Sequence, residues 1–150
     1  MIPFFQGRYI NEQIDHQRWR VFEQFSFTNS KGVVTVVPVG FEHDFASIPP
    51  LAQSIISKVG YWSPAAVVHD YHFWLHRSGM EKKRTVWEAN QDLLEGCKVM
   101  ANLWSVPEKD RRHWLIYGGV MAAGPEYWET PKERKARLER LQLHEDILDQ

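Results

Sequence analysis

Cysteine is almost missing from this chain. Cys97 is the only one in 150 residues, so no intramolecular disulfide can form. The chain therefore suits a reducing compartment without requiring one, and "EGCKV" has no second thiol at metal-site spacing. Cys97 reads as a small buried apolar side chain. Long hydrophobic runs are also missing, and nothing approaches the roughly 20 apolar residues of a membrane span. The opening "MIPFFQGRYI" lacks the basic segment and apolar core of a secretory signal, so a soluble protein made without its own export signal is expected. Charge of one sign is lacking too. A formal net charge of −1 gives no general pull towards nucleic acid or anionic membrane, and no nucleic-acid partner is expected. No internal repeat or low-complexity tract is visible, and no Ser-x-x-Lys spacing supports a serine acyl-enzyme.

What is present is a globular composition, 43% hydrophobic and 25% charged, in a chain the size of one domain. Seven Trp, eight Phe and five Tyr supply large flat core pieces and material for a binding surface.

The first third reads as strands. "RWRVFEQFSFT" (18–28) alternates Trp19, Val21, Phe25 and Phe27 at mostly even spacing. "NSKG" (29–32) is turn chemistry, and "VVTVVPV" (33–39) is β-branched, which predicts a hairpin, with an extra strand near 3–10. From about residue 50 the period becomes helical. Ser63-Pro64 opens a helix that should run to Gly79, and a second covers roughly 84–102. "SVPE" (105–108) opens a third helix, which "GP" (124–125) stops at about Ala123. "TPKE" (130–133) opens a charged terminal helix. The expected fold is α+β: one domain over 1–150, with a small antiparallel sheet in a β-rich part (1–47). Four to five helices pack on it, from a helical part (51–129) and a terminal helix (130–150).

"SPAAVVHDYHFWLHRSG" (63–79) places charge-bearing groups inside an apolar helix. His69, His72 and His76 stand at i, i+3 and i+7 and share one face, while Asp70 is turned about 100° from His69. A carboxylate among Ala65, Val67, Val68 and Phe73 is costly unless paired, hydrogen-bonded or bound to a metal. Asp44, in "VGFEHDFASIPP" (39–50), follows a strand and precedes a stiff Pro-Pro entry to the next helix. Two roles stay open for it: capping the amides of Ala46 and Ser47, or projecting towards the His-Asp helix.

"VPVGFEHDFASIPP", "YWSPAAVVHDYHF" and "EANQDLLEGCKV" together resemble an uncharacterised family, a domain of unknown function common in bacteriophage and prophage genomes. The family pattern is a strand ending in Gly-Phe-x-x-Asp-Phe-Ala-Ser-Ile/Val-Pro, a His-Asp helix, and a helix with Ala-Asp. The likeness covers roughly 33–120. On that match Asp44, Ser47, Pro49, His69 and Asp70 occupy the corresponding positions, and Asp44, Ser47, His69 and Asp70 form the candidate catalytic set. The third motif departs, because Asn90 stands where the family has an acid and Asp92 lies two further on. A divalent metal (Zn or Mn) held by His69, Asp70, Asp44, Asn90 and His72 is the cofactor this set would take. The His-Asp doublet also resembles the HD phosphohydrolases, with His43 and Asp92 as further ligands, but a sheet-then-helix order does not suit that all-helical fold.

The resemblance implies a phage setting and no activity. Three functions are expected as alternatives: a phage- or prophage-encoded accessory protein acting as a metal-dependent hydrolase; a virion, tail or assembly component in which the cluster only stabilises the fold; or a host-factor-binding protein. Partners would be virion or host proteins, met through the aromatic surface (Trp114, Tyr117, Tyr127, Trp128) or the terminal helix 131–149. The chain would be made in the host cytoplasm, with incorporation into the virion as the alternative fate.

Overall fold

The computed structural model describes residues 1–45, 53, 55, 57–136 and 138–139. The fold is α+β, with two small antiparallel sheets followed by helices, as expected. The strands are β1 (Phe4–Gln6), β2 (Asn11–Gln13), β3 (Trp19–Val21), β4 (Phe25–Thr28), β5 (Val34–Val37) and β6 (Glu42–His43). One sheet has the order β1-β4-β5 and the other β2-β3-β6. The expected hairpin is present as β4–β5, with Asn29 Oδ1 accepting from the amides of Lys31 and Val33 across the turn.

The strand near 3–10 is present as β1 and the run 33–39 as β5, the run 18–28 is creased into two short strands, and β2 and β6 lie beyond the predicted runs. The run 18–28 divides at Phe22–Gln24, so β3 and β4 lie in different sheets. The chain also passes from one sheet to the other between β1 and β2 and between β5 and β6. Gly7, at φ +90°, bends β1 from β2, and a Cβ there would lie 3.1 Å from the Gln24 carbonyl oxygen and 3.3 Å from Phe25 Cα. Gly40, at φ +86°, bends β5 from β6 after Pro38. Both glycines answer a backbone need that a side chain would oppose. The inner faces of the sheets supply Val21, Phe25, Phe27 and Val37 to the core.

Helix α1 (Ser63–Arg77) begins within one residue of its predicted start, with Pro64 in the first turn. It ends before Gly79, whose φ of +77° lets the amides of Gly79 and Met80 reach the carbonyls of His76 and Leu75. Helix α2 (Val86–Leu103) opens with a capping box between Thr85 and Glu88. Ala65, Val67 and Val68 of α1 share the core with Leu93, Cys97 and Ala101 of α2. Cys97 is buried as expected, and burial raises its thiol pKa. The glycine that permits close packing is Gly96, where a Cβ would stand 2.8 Å from Ala65 Cβ, and not Gly118, which has open space around it.

Two helix boundaries differ from expectation. Ser105 does not open the third helix. It adopts φ +52° and closes α2, with the Val106 amide bonded to the Ala101 carbonyl at 2.8 Å. A short 3₁₀ turn, Glu108–Asp110, follows, and α3 runs His113–Trp128. The helix therefore continues through Gly124-Pro125, beyond the predicted stop at Ala123. Proline costs the bond to the carbonyl four residues back. Burial of Trp128 against Phe73 and His76 holds the turn beyond it. The predicted Thr130–Glu133 capping box forms, and residues 131–136 and 138–139 are helical. The remainder of the expected terminal helix lies outside the described residues.

Candidate functional site

All three histidines of α1 are buried. His69 Nε2 stands 2.7 Å from Asn90 Oδ1 on α2. That oxygen only accepts, so Nε2 carries the proton and donates. The Asn90 amide nitrogen in turn points at Met121 Sδ, 3.3 Å away on α3. Burial, opposed by the bond to Asn90, lowers the His69 pKa to about 4, so the imidazole is neutral at neutral pH.

One turn on, His72 Nε2 lies 3.2 Å from Asp92 Oδ2 and 3.3 Å from Thr35 Oγ1. Burial, set against the Asp92 bond, lowers this pKa as well. Asp92 is the hub of the group. Its Oδ1 accepts from Asn29 Nδ2 at 2.9 Å, and its Oδ2 accepts from both His72 and the Arg84 guanidinium. Burial opposes the Asp92 charge, but the donors from His72 and Asn29 together with the Arg84 charge outweigh it and hold the carboxyl pKa below its usual value. The network joins the β4–β5 hairpin, α1, the loop before α2 and α2 itself. His76 Nε2 lies 3.4 Å from Glu133 Oε2, and its ring stacks on Trp128.

The structure thus brings His69, His72 and Asn90 of the candidate metal set into one polar layer. Asp70 leaves α1 on another side and is half-buried near Tyr9, whose phenol pKa is raised chiefly by burial and partly by the Asp70 charge. Asp44 follows β6 and is exposed. Ser47 and Pro49 lie outside the described residues, as do the amides that Asp44 would cap. Among the described residues no group of three or more His, Cys, Asp or Glu side chains is arranged to hold a metal ion. His43 is buried between the rings of Phe41 and Phe45, and neither of its nitrogens has a hydrogen-bond partner among the described residues. Burial lowers its pKa to about 4.

Sequence reasoning missed Asn29 and Arg84. Asn29 reads as a turn residue and Arg84 as one charge in the run "EKKR", and neither pattern signals a buried partner. The aromatic run of α3 divides: Trp128 is buried, while Trp114 and Tyr127 are exposed.

At His69 burial prevails over the opposing bond to Asn90. Asn90→Asp should set a carboxylate against Nε2 and raise the His69 pKa by about 1–3 units. An NMR titration of the imidazole reads this directly, and an unmoved pKa would mean that the pair at 2.7 Å is not formed in solution.

An α+β domain with a buried His–Asn/His–Asp layer between hairpin and helices is the class this geometry defines. Residues 19–120, about two-thirds of the chain, match the model of a protein family of unknown function, DUF1353, and the chain belongs to that family. Searches of the curated proteins and of the solved structures each gave no match.

Proposed function

We propose that the chain is a phage- or prophage-encoded component of the virion or of its assembly, and that its polar layer locks hairpin to helices rather than performing hydrolysis. One observation carries this reading: the Nε2 atoms of His69 and His72 are spent on Asn90 and Asp92. Asp92 is likewise occupied on both oxygens by Asn29, His72 and Arg84. A catalytic centre keeps an open coordination position or a reachable base, whereas a lock is closed. The phage setting rests on the resemblance of the first two motifs. A role among protein partners is supported by the outer face of the β1-β4-β5 sheet, where Phe4, Thr28 and Val34 stand in register and Val36 lies beside them. Phe4, Val34 and Val36 there are 44–57% exposed, an apolar face of the kind that marks protein contacts.

The test is the metal content of purified protein by plasma mass spectrometry, for wild type beside His69→Ala and Asp44→Ala. The lock predicts no stoichiometric metal in any of the three and a lower melting temperature for His69→Ala. Near-stoichiometric metal, lost in both variants while they stay folded, would overturn it in favour of the hydrolase. Mass spectrometry of purified particles from cells expressing the gene should recover the chain, and particles without it would remove the virion role.

A further inference from the structure

The turn that joins α2 to α3 leaves large apolar side chains in water. Leu103 and Trp104, at the end of α2, are 71% and 61% exposed. Trp114 and Leu115, on the first turn of α3, are 51% and 45% exposed. The two helix ends lie side by side. The Arg111 guanidinium donates to Asn102 Oδ1 at 2.9 Å, and Lys98 Nζ stands 5.1 Å from the centre of the Trp114 ring.

The backbone holds the tip of this turn outward. Ser105 takes the left-handed φ of +52°, a conformation that suits glycine and costs a serine. The chain reverses there, and Val106 turns back to pack on the core while Leu103 and Trp104 stay outside. Backbone outliers of this kind persist where the surrounding structure imposes them, and they cluster at binding sites.

Charge at the turn differs in sign from that of the chain. The whole sequence has 18 Lys and Arg against 19 Asp and Glu, whereas residues 98–115 hold four cations, Lys98, Lys109, Arg111 and Arg112, and two acids, Glu108 and Asp110. Arg111 is spent on Glu108, Asn102 and the Val106 carbonyl. Lys98, Lys109 and Arg112 are exposed, with Asp110 as the remaining acid of the turn. The positive field reaches inward: burial lowers the His113 pKa, and the Lys98 and Arg111 charges add to that against the opposing charge of Glu108.

We infer that this turn docks on an anionic lipid bilayer, with Leu103 and Trp104 inserted at headgroup depth and Lys98, Lys109 and Arg112 against the lipid phosphates. Indole rings favour the boundary between headgroups and acyl chains. Cations beside an apolar insertion are drawn to an anionic leaflet. A protein partner would need a pocket shaped for both side chains and acids placed for the rim, whereas a lipid surface supplies both without a fixed shape. None of these residues belongs to the polar layer.

Vesicle co-sedimentation of the full chain is the test, with phosphatidylcholine vesicles beside equimolar phosphatidylcholine–phosphatidylglycerol vesicles. Saturable binding to the anionic vesicles is expected, roughly tenfold tighter than to the neutral ones and weaker as salt is raised. Leu103→Ser and Trp104→Ser should each weaken it roughly tenfold, the loss for removing one inserted apolar side chain. Lys109→Glu with Arg112→Glu should remove the preference for anionic vesicles. All four side chains are exposed, so the variants should keep the wild-type melting temperature. No binding to the anionic vesicles, equal binding to both kinds, or a Leu103→Ser, Trp104→Ser double variant that binds as wild type does would overturn the proposal. A mass that rises with protein concentration in sedimentation velocity, falls to monomer in Trp104→Ser and is accompanied by no vesicle binding would overturn it in favour of self-association.

Discussion

Asp92→Ala should destabilise the protein by roughly 3–5 kcal/mol, the range for removing one partner of a buried charge pair. The magnitude follows from what is left behind more than from what is lost. With the carboxylate gone, the Arg84 guanidinium stays buried as an uncompensated charge, and the donors of His72 and Asn29 face an empty space. Each stranded donor adds a desolvation cost of its own. Domain stabilities are commonly about 5–15 kcal/mol, so such a variant would be close to unfolding at 37 °C. Asp92→Asn keeps an acceptor for one donor but not the charge, and should fall between Ala and wild type. Urea melts of the three proteins check the order. A loss below about 1 kcal/mol for Asp92→Ala would show that the network is not closed in solution.

Acid should unfold the protein earlier than its carboxylates alone would dictate. His69 and His43 each have a folded pKa of about 4, set mainly by burial, against about 6.5 in an unfolded chain. Between those values the unfolded state binds more protons than the folded one. Stability is therefore full above pH 6.5 and falls as pH drops towards 4. A gap of this size corresponds to roughly 3 kcal/mol for each histidine once the pH is below the folded value. Urea melts at several pH values from 7.5 to 4.5 should show a steep decline. His43→Phe should flatten it, because Phe41 and Phe45 already make an aromatic box that needs no proton. Stability that is level over the whole interval would contradict the burial of both rings.

How much of this was legible beforehand follows the range of the interactions. Signals that act within one turn were readable: Ser63-Pro64 and Gly79 bracket α1, and Thr130 with Glu133 makes the terminal capping box. The shared face of His69, His72 and His76 followed from helical spacing, and all three rings are buried. Ser105 misled because a serine followed three residues on by glutamate also occurs where serine ends the preceding helix in a left-handed conformation. The partners of the histidines were harder to read, since Asn29 and Asp92 are 63 residues apart and meet only when the hairpin docks on α2. Strand creases were unreadable for a similar reason. A period-2 pattern says which side chains turn inward, but not that the chain changes sheets between Val21 and Phe25.

That crease has a consequence for the fate of the protein at high concentration. The apolar outer face of β5 would, on a long straight strand, be a template for fibre growth. Here the strands that end the two sheets, β1 and β5 in one and β2 and β6 in the other, are only two to four residues long. An incoming strand finds a very short ladder of free backbone groups before the edge turns away, too short to hold it. The bend thus lets the domain display a sticky face to a chosen partner while denying its neighbours a rail along which to stack.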